Sequence, residues 1–325
     1  MHSDDVVTSA TRNRKYPLGG PSKGGTSSPS TRRKKSRWIP SFELRMMLPA
    51  IVPLAVLSLI PFGYLIWMSV SKVTLIGGVS LTGVGGDNWS KMFSDPAVWA
   101  SWKISAFYFV ATVGIEMLLG VGIAILVHER LFGRNILVSI LLMPMFVAPV
   151  IVGLLGRFLT DSSFGLYSWL LRLVGIDNNV LGSPKTALAA VVAMDVWEWT
   201  PLIMLITLAG LSAVPQPLIE AASLDGAGYF KRLWYVVIPS ISGVLLVALL
   251  IRAMDAIRFF DIIWITTNGG PADTTKIIPL RLYEIAFRFF DLGYAAAIGL
   301  TMLLFSIIVA NLFVALLEKK KGAAQ

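Results

Sequence analysis

Residues 292–317 read LGYAAAIGLTMLLFSIIVANLFVALL, a run of 26 residues without a charged side chain. An α-helix needs about 20 consecutive apolar residues to cross the hydrocarbon core of a bilayer, so this run predicts a transmembrane helix. Its apolar character is continuous rather than alternating, which favours a helix over a strand of a membrane barrel. The run therefore indicates an α-helical membrane protein.

The rest of the chain repeats this pattern. The sequence predicts six transmembrane helices, at about 45–69, 104–127, 136–159, 187–211, 236–257 and 291–317. The composition agrees, because 55% of the residues are hydrophobic and only 14% are charged, against about 45–50% and about 25% in soluble domains. A soluble enzyme is excluded. The predicted fold is an all-α integral membrane protein with one six-span domain over residues 41–320.

Cysteine and histidine usage limits the chemistry of the chain. There is no cysteine, and the two histidines, His2 and His128, lie far apart in the sequence. Disulfides, thiolate metal sites and iron–sulfur clusters are therefore excluded, and a histidine-based metal site is not expected. We predict no metal site and no cofactor bound by this chain.

Residues 1–40 differ in composition from the rest. They are rich in Gly, Pro, Ser and Thr, and they end in the basic run 32–37. The stretch lacks an apolar period and is predicted to be a disordered basic tail. Because the basic run directly precedes a span, we interpret it as a cytoplasmic, lipid-facing segment rather than a nucleic-acid site. With six spans, the C-terminal tail 321–325 is then also cytoplasmic.

The segment 215–239 joins the fourth and fifth predicted spans on the same side. Prolines at its start interrupt the helix, and the sequence predicts a short helix, a sharp turn at Gly226 and a second amphipathic helix that leads to Pro239. From the residues alone, an ordinary loop with an interfacial helix is an equal alternative.

Within this segment, Glu220-Ala221-Ala222, Gly226 and the run Val236–Pro239 resemble the EAA loop of permease subunits of bacterial ABC importers. Asp225-Gly226-Ala227 is similar to the corresponding triplet of carbohydrate permeases. The resemblance implies the type I ABC importer permease fold and a location in the bacterial inner membrane. It also implies that the loop docks onto a separate ATPase through Glu220, Ala221, Ala222, Asp225, Gly226 and Pro239.

A second stretch supports this resemblance. Thr267, Gly269, Gly270 and Pro271 are similar to a signature in the outer loop after span five of sugar permeases that resemble the larger maltose permease. The resemblance covers about residues 40–320. It implies a second permease subunit that completes a heterodimeric pore, an ATPase dimer that uses ATP and Mg, and an extracytoplasmic solute-binding protein. The chain contains no Walker A motif, so we expect ATP hydrolysis in a partner and no catalytic residue here.

Ionisable residues inside the membrane indicate where a solute passes. Asp195, Glu198 and Trp199 lie at positions i, i+3 and i+4, which places two carboxylates and an indole on one helical face. This set suits a neutral polyhydroxy ligand, because carboxylates accept hydrogen bonds from hydroxyls and an indole packs on a sugar ring. The alternative is that the carboxylates pair with basic residues between helices and that Trp199 only packs.

The resemblance adds positions near the outer end of span five, so that the predicted solute cavity comprises Asp195, Glu198, Trp199, Asp255, Arg258 and Asp261. Intrahelical ion pairing also explains the alternation of Arg252, Asp255, Arg258 and Asp261. Glu116 in span two is predicted to be a packing or pore-network residue.

The sequence therefore predicts a permease subunit that moves a sugar, oligosaccharide or polyol by alternating access. The solute-binding protein is expected at the outer loops 72–103 and 257–290. Glycerol phosphate or another sugar derivative is the alternative substrate. An ion-coupled secondary transporter that uses Asp195 or Glu198 as a relay is the alternative class.

Overall fold

The computed structural model of the chain describes residues 42–75, 77–78, 80–128, 133–175 and 179–322. The predicted basic tail 1–40 and residues 323–325 of the predicted C-terminal tail lie outside these ranges. Backbone contacts divide the chain into two units within its first helix. One unit ends at Leu54, and the other begins at Ala55 and contains all later elements.

In chain order, the described elements are α1 (Phe42–Ser69), β1 (Ser71–Thr74), β2 (Ser80–Gly83), α2 (Asp87–Ser94), α3 (Pro96–His128), α4 (Arg134–Leu142), α5 (Pro149–Leu159), α6 (Leu166–Leu173), α7 (Ala187–Ser212), α8 (Gln216–Leu224), α9 (Tyr229–Arg232), α10 (Ile238–Ala256), α11 (Asp261–Thr266), α12 (Ile278–Phe287) and α13 (Leu292–Gly322). A 3-10 turn, Met143–Phe146, follows α4, and a π-helical turn, Leu233–Val237, precedes α10. Among the described residues, α1, α3, α7, α13 and the helical stretch that contains α10 are long and apolar enough to cross a membrane.

The third predicted span is a broken helix rather than one continuous helix. The axes of Arg134–Phe146 and Pro149–Leu159 differ by 95°. Two prolines explain the break: Pro144 lies in the 3-10 turn, and Pro149 forces Ala148 out of the helical region, to φ −65° and ψ 139°. Counted as one, the two pieces give a sixth candidate span, so the described residues contain five to six candidate spans, and the predicted continuity of 136–159 is wrong.

Three long helices, α3, α7 and α10, meet at the centre of the second unit. The crossing of α3 and α7 is close because Gly120 lies directly against Ile203. Further along the same helices, Ala124, Met204 and Ile241 form one buried apolar cluster. α13 packs against α10 and α12. This arrangement encloses the space between α3, α7 and α10, where the buried charges lie.

At one end of the bundle, the structure contains elements that the sequence analysis assigned only to loops. β1 and β2 form an antiparallel hairpin in which Ser71 pairs with Gly83 and Thr74 with Ser80. The amphipathic helix α2 buries Met92 against α13.

The Tyr294 hydroxyl donates a hydrogen bond to Asp95 at 2.6 Å. Partial burial acts to raise the pKa of Asp95, but this bond and the backbone N–H of Ala97 outweigh it and hold the pKa below its usual value.

We expect Gly120→Ala to destabilise the protein. A Cβ at this position would lie 2.6 Å from the Cβ of Ile203 and 3.0 Å from the backbone nitrogen of Met204, so α3 and α7 must separate. Overpacking of this kind lowers the free energy of unfolding by about 1–3 kcal/mol. The measurement is the midpoint of thermal unfolding of the purified protein in detergent.

Gly122→Ala is the matched control on the same helix, because no atom of the described residues lies within 4 Å of its new Cβ. We expect an unchanged or higher midpoint for this variant, since Ala favours a helix by about 1 kcal/mol over Gly. Equal midpoints for the two variants would contradict the close crossing.

Candidate functional site

The guanidinium of Arg252 lies at the centre of the buried polar site. Its Nε and Nη2 atoms donate to the two carboxylate oxygens of Glu116 at 2.6 and 3.0 Å. Nη2 also donates to Asp195 at 2.5 Å, and Nη1 donates to Asp255 at 3.2 Å. Four of the five N–H groups of the arginine are therefore used. These contacts connect α3, α7 and α10 by one side chain.

The site contains more acidic than basic side chains. One guanidinium meets three carboxylates, and the side chains of Arg252, Glu116 and Asp195 have no exposed surface. Glu198, one turn beyond Asp195, is also buried, and its Oε2 atom has no hydrogen-bond partner in the described chain. A buried polar atom without a partner is costly. Glu198 is therefore the side chain of this site that is most in need of a further donor.

The structure brings most of the predicted cavity residues together around Arg252. The ring of Trp199 lies 5.3 Å from the guanidinium carbon, within the range of a cation–π contact. Its Nε1 atom has no acceptor in the described chain. Asp255 is 29% exposed and pairs with Arg258, which is 78% exposed. Asp261 is not in α10 but begins the short helix α11.

For Asp195, the structure agrees with the alternative interpretation, because Asp195 forms an ion pair with Arg252 on another helix. That interpretation does not describe Glu198, which lacks a basic partner among the described ion pairs. The alternation along span five does give the expected intrahelical pairs from Asp255 to Arg252 and Arg258. The sequence analysis missed that Arg252 is the common partner. The available signal was the lone charge of Glu116 in one apolar run and a basic residue, Arg252, in another, which intrahelical pairing had already explained.

The site can present hydrogen-bond acceptors and an aromatic face toward a solute. Asp255 and Trp199 are partly exposed at its edge, and Glu198 supplies an unpaired carboxylate oxygen close by. Among the described residues, no group of three or more His, Cys, Asp or Glu side chains has a geometry that could hold a metal ion.

The segment 215–239, which we call the EAA loop, forms a helix, a glycine turn and a second helix. α8 is followed by Gly226, whose φ of +78° favours glycine. The Arg232 guanidinium then donates to the Ser223 hydroxyl at 2.5 Å, which ties α9 back to α8. The second helix continues through the π-helical turn Leu233–Val237 into α10. Pro239 accounts for this wider turn, because its ring excludes the carbonyl of the residue four positions before it.

Most of the EAA loop is exposed in this chain. Glu220, Ala221, Asp225 and Gly226 face solvent, and Ala222 is half-buried. The sequence analysis did not single out Leu224, whose side chain is 90% exposed beside the turn. Phe230 in α9 is also exposed, at 72%, so both helices of the loop carry exposed apolar side chains. Groups of exposed apolar side chains, rather than single ones, are typical of interaction sites.

The signature residues Thr267, Gly269, Gly270 and Pro271 form a compact turn between α11 and α12, which we call the GGP loop. The hydroxyls of Thr267 and Thr275 lie 2.7 Å apart, and Thr275 also donates to the Gly270 carbonyl at 2.8 Å. The Gly270–Pro271 peptide bond is cis. These bonds shape the loop from within.

Charged residues hold the GGP loop against α12. Lys276 bridges Asp273 and Glu284 at 2.7 and 3.1 Å, and Arg281 also reaches Asp273 at 3.2 Å. The hydrogen bond from Lys276 lowers the pKa of Asp273 below its usual value. The described contacts therefore assign the loop a defined shape.

We expect Arg252→Gln to be strongly destabilising. The change leaves Glu116 and Asp195 buried without a cationic partner, and breaking a buried ion pair on one side costs about 3–5 kcal/mol. The midpoint of thermal unfolding in detergent measures the effect. Arg258→Gln, six residues further along the chain and just beyond α10, is the control, because an exposed ion pair contributes at most about 1 kcal/mol. A midpoint for Arg252→Gln as high as that of Arg258→Gln would contradict the central role of Arg252.

Comparison with known proteins places this architecture in a family. Residues 116–322 match the family described as binding-protein-dependent transport system inner membrane component. The chain is 35% identical to the trehalose/maltose transport system permease protein MalF of Thermococcus litoralis, over 82% of this chain and 89% of that protein. It is 30% identical to the sn-glycerol-3-phosphate transport system permease protein UgpA of Yersinia pestis, over 85% of this chain and 93% of that protein.

A solved structure shares the fold. A chain of a bacterial alginate ABC transporter, crystallised with its alginate pentasaccharide-bound periplasmic protein, superimposes with a TM-score of 0.72 at 18% identity. The match covers 83% of this chain and 91% of that chain. The predicted type I permease fold and the predicted family are thereby confirmed. The chain belongs to the family of binding-protein-dependent inner-membrane transport components, among the permeases of sugar and glycerol-phosphate ABC importers.

Proposed function

We propose that this chain is the transmembrane permease subunit of an importer that moves a sugar, oligosaccharide or polyol by alternating access. A separate ATPase dimer hydrolyses ATP with Mg and drives the movement through the EAA loop. The observation that carries this proposal is the exposed helix–turn–helix of that loop. Leu224 is 90% exposed on this loop, and a Cβ added at Gly226 would meet no atom of the described residues within 4 Å.

The solute class is inferred from the edge of the buried polar site. Trp199 offers an aromatic face, and Asp255 and Glu198 offer carboxylate oxygens, a combination that suits the hydroxyls and the C–H face of a neutral sugar. The trehalose and maltose named for the relative from Thermococcus litoralis belong to this class. Glycerol phosphate remains the second candidate, because the relative from Yersinia pestis is named for it.

The ion-coupled alternative depends on Asp195 or Glu198 as a proton or sodium relay. Asp195 already pairs with Arg252, so Glu198 would have to serve alone. Such a transporter moves solute without an ATPase, and the requirement for ATP separates the two classes.

The assembly follows from the same proposal. A second permease chain completes the pore, and a solute-binding protein docks at the outer loops 72–103 and 257–290. These ranges include the β1–β2 hairpin, α2 and the GGP loop. Both termini lie on the cytoplasmic side, and the basic tail contacts anionic lipid.

The test is reconstitution. The chain is tagged and purified from its own membrane, the proteins that co-purify are identified by mass spectrometry, and the complex is placed in liposomes with the solute-binding protein. We expect a second six-span chain, an ATPase with Walker motifs and ATP-dependent uptake of trehalose or maltose. Uptake without ATP that stops when the ion gradient collapses would support the ion-coupled alternative instead.

We expect Gly226→Asp to weaken the recovery of the ATPase and ATP-dependent uptake by about tenfold, as one lost close contact of about 1.4 kcal/mol would do. A Cβ at this position meets no atom of the described residues within 4 Å, so the loss in excess of the backbone strain arises at the partner. Co-purification and uptake measure it.

Gly175→Asp is the control, because Gly175 has a nearly identical φ of +75° and equally open surroundings outside the EAA loop. It reports the cost of placing Asp in a left-handed conformation. Equal loss of ATPase recovery in both variants would contradict a docking role for Gly226.

We expect Trp199→Ala to lower sugar uptake several-fold while leaving the amount of assembled complex nearly unchanged, since a sugar–indole contact contributes about 1 kcal/mol. Trp197→Ala removes an indole from a different face of α7, where the side chain is exposed, and we expect uptake to be retained. Unchanged uptake in Trp199→Ala would assign Trp199 to packing alone.

A further inference from the structure

We propose that Glu116 is a positioning residue for solute transport, and that it acts through Arg252 on Asp255 and Trp199. This inference rests on the proposed function, because that function places Asp255 and Trp199 along the path of the solute. Glu116 is remote in sequence from every predicted cavity residue, and the structure brings it into the same buried network.

Two hydrogen bonds fix the geometry of the Glu116–Arg252 pair. The carboxylate accepts from both Nε and Nη2, at 2.6 and 3.0 Å, and neither side chain has exposed surface. Two parallel bonds define the plane of a guanidinium as well as its position. Glu116 therefore sets the direction in which the remaining N–H groups of Arg252 point.

The plane of the Arg252 guanidinium determines how Arg252 contacts Asp255 and Trp199 at the edge of the site. With Nε and one N–H of Nη2 held by Glu116, Nη1 faces Asp255 at 3.2 Å and the guanidinium carbon lies 5.3 Å from the Trp199 ring. Exposure rises along this series from zero at Glu116 and Arg252 to 29% at Asp255. The series thus leads from the buried core to the surface on which a solute would lie.

Glu116 lies on a different helix from the two partly exposed residues, Trp199 and Asp255. Glu116 comes from α3, whereas Trp199 and Asp255 come from α7 and α10. Both described hydrogen bonds of Glu116 go to Arg252. These contacts connect Glu116 to the two partly exposed residues through the guanidinium, and a coupling between residues 116 and 255 measures that connection.

The experiment is a double-mutant cycle on the reconstituted complex, with Glu116→Gln, Asp255→Asn and the double variant. The readout is the number of sugar molecules moved per ATP hydrolysed at saturating sugar-loaded solute-binding protein. The probe is radiolabelled trehalose, or maltose if the wild-type complex carries only maltose. This ratio is independent of how much complex folds, so loss of stability alone does not change it.

We expect each single variant to lower the ratio about fivefold and the double variant to lower it no further, because residues that act through one partner are not additive. Thr112→Val, one turn before Glu116 on the same buried face of α3, is the control. Thr112 bonds only within its own helix in the described chain, and we expect the wild-type ratio.

Two results would overturn the proposal. One is a wild-type ratio in Glu116→Gln, and the other is a double variant whose loss equals the product of the single losses. If Glu116→Gln yields too little complex, the cycle is run with Glu116→Asp, which keeps the charge but shortens the reach to Arg252, and the same two results overturn it. Wild-type uptake tests the proposed function separately, so failure of the cycle with active wild type refutes only the role of Glu116.

Discussion

One buried cation determines how the central helices of this permease are arranged. Arg252 has no exposed surface, and its N–H groups donate to carboxylates from α3, from α7 and from its own helix α10. In a hydrocarbon environment each of these charges alone would be costly, so the helices that carry them are stable only where the charges meet. The helix crossing at Gly120 provides the close approach of α3 and α7 that this meeting requires.

The same network leaves a polar edge within the membrane domain. The Oε2 atom of Glu198 and the indole nitrogen of Trp199 have no hydrogen-bond partner in the described chain, and Asp255 is partly exposed. Polar groups that are not satisfied by the protein itself are available to water or to a solute. Arg252 therefore contacts both the buried carboxylates of Glu116 and Asp195 and the partly exposed side chains of Asp255 and Trp199.

Proline and glycine shape the parts of the chain outside this core. Pro144 and Pro149 divide the third span, and Pro239 widens the last turn of the EAA loop before α10. Gly226 permits the reversal between α8 and α9. The sequence analysis predicted this reversal, because a glycine between two short helices has few other uses. It did not predict the break at 144–149, because the apolar run continues through both prolines and hydropathy alone registers no interruption.

Local sequence was enough to predict the membrane class, a set of up to six apolar spans and the helix–turn–helix of the EAA loop. These depend on local properties: the length of apolar runs, the position of prolines and the conformational freedom of one glycine. It also placed Asp195, Glu198 and Trp199 on one helical face, since that follows from the helical period. The folded bundle was needed to show that Arg252 joins Glu116 to Asp195, residues that are 136 and 57 positions away from it. Pairing across such distances depends on which helices pack together, and that choice is made by the whole bundle rather than by any single stretch of sequence.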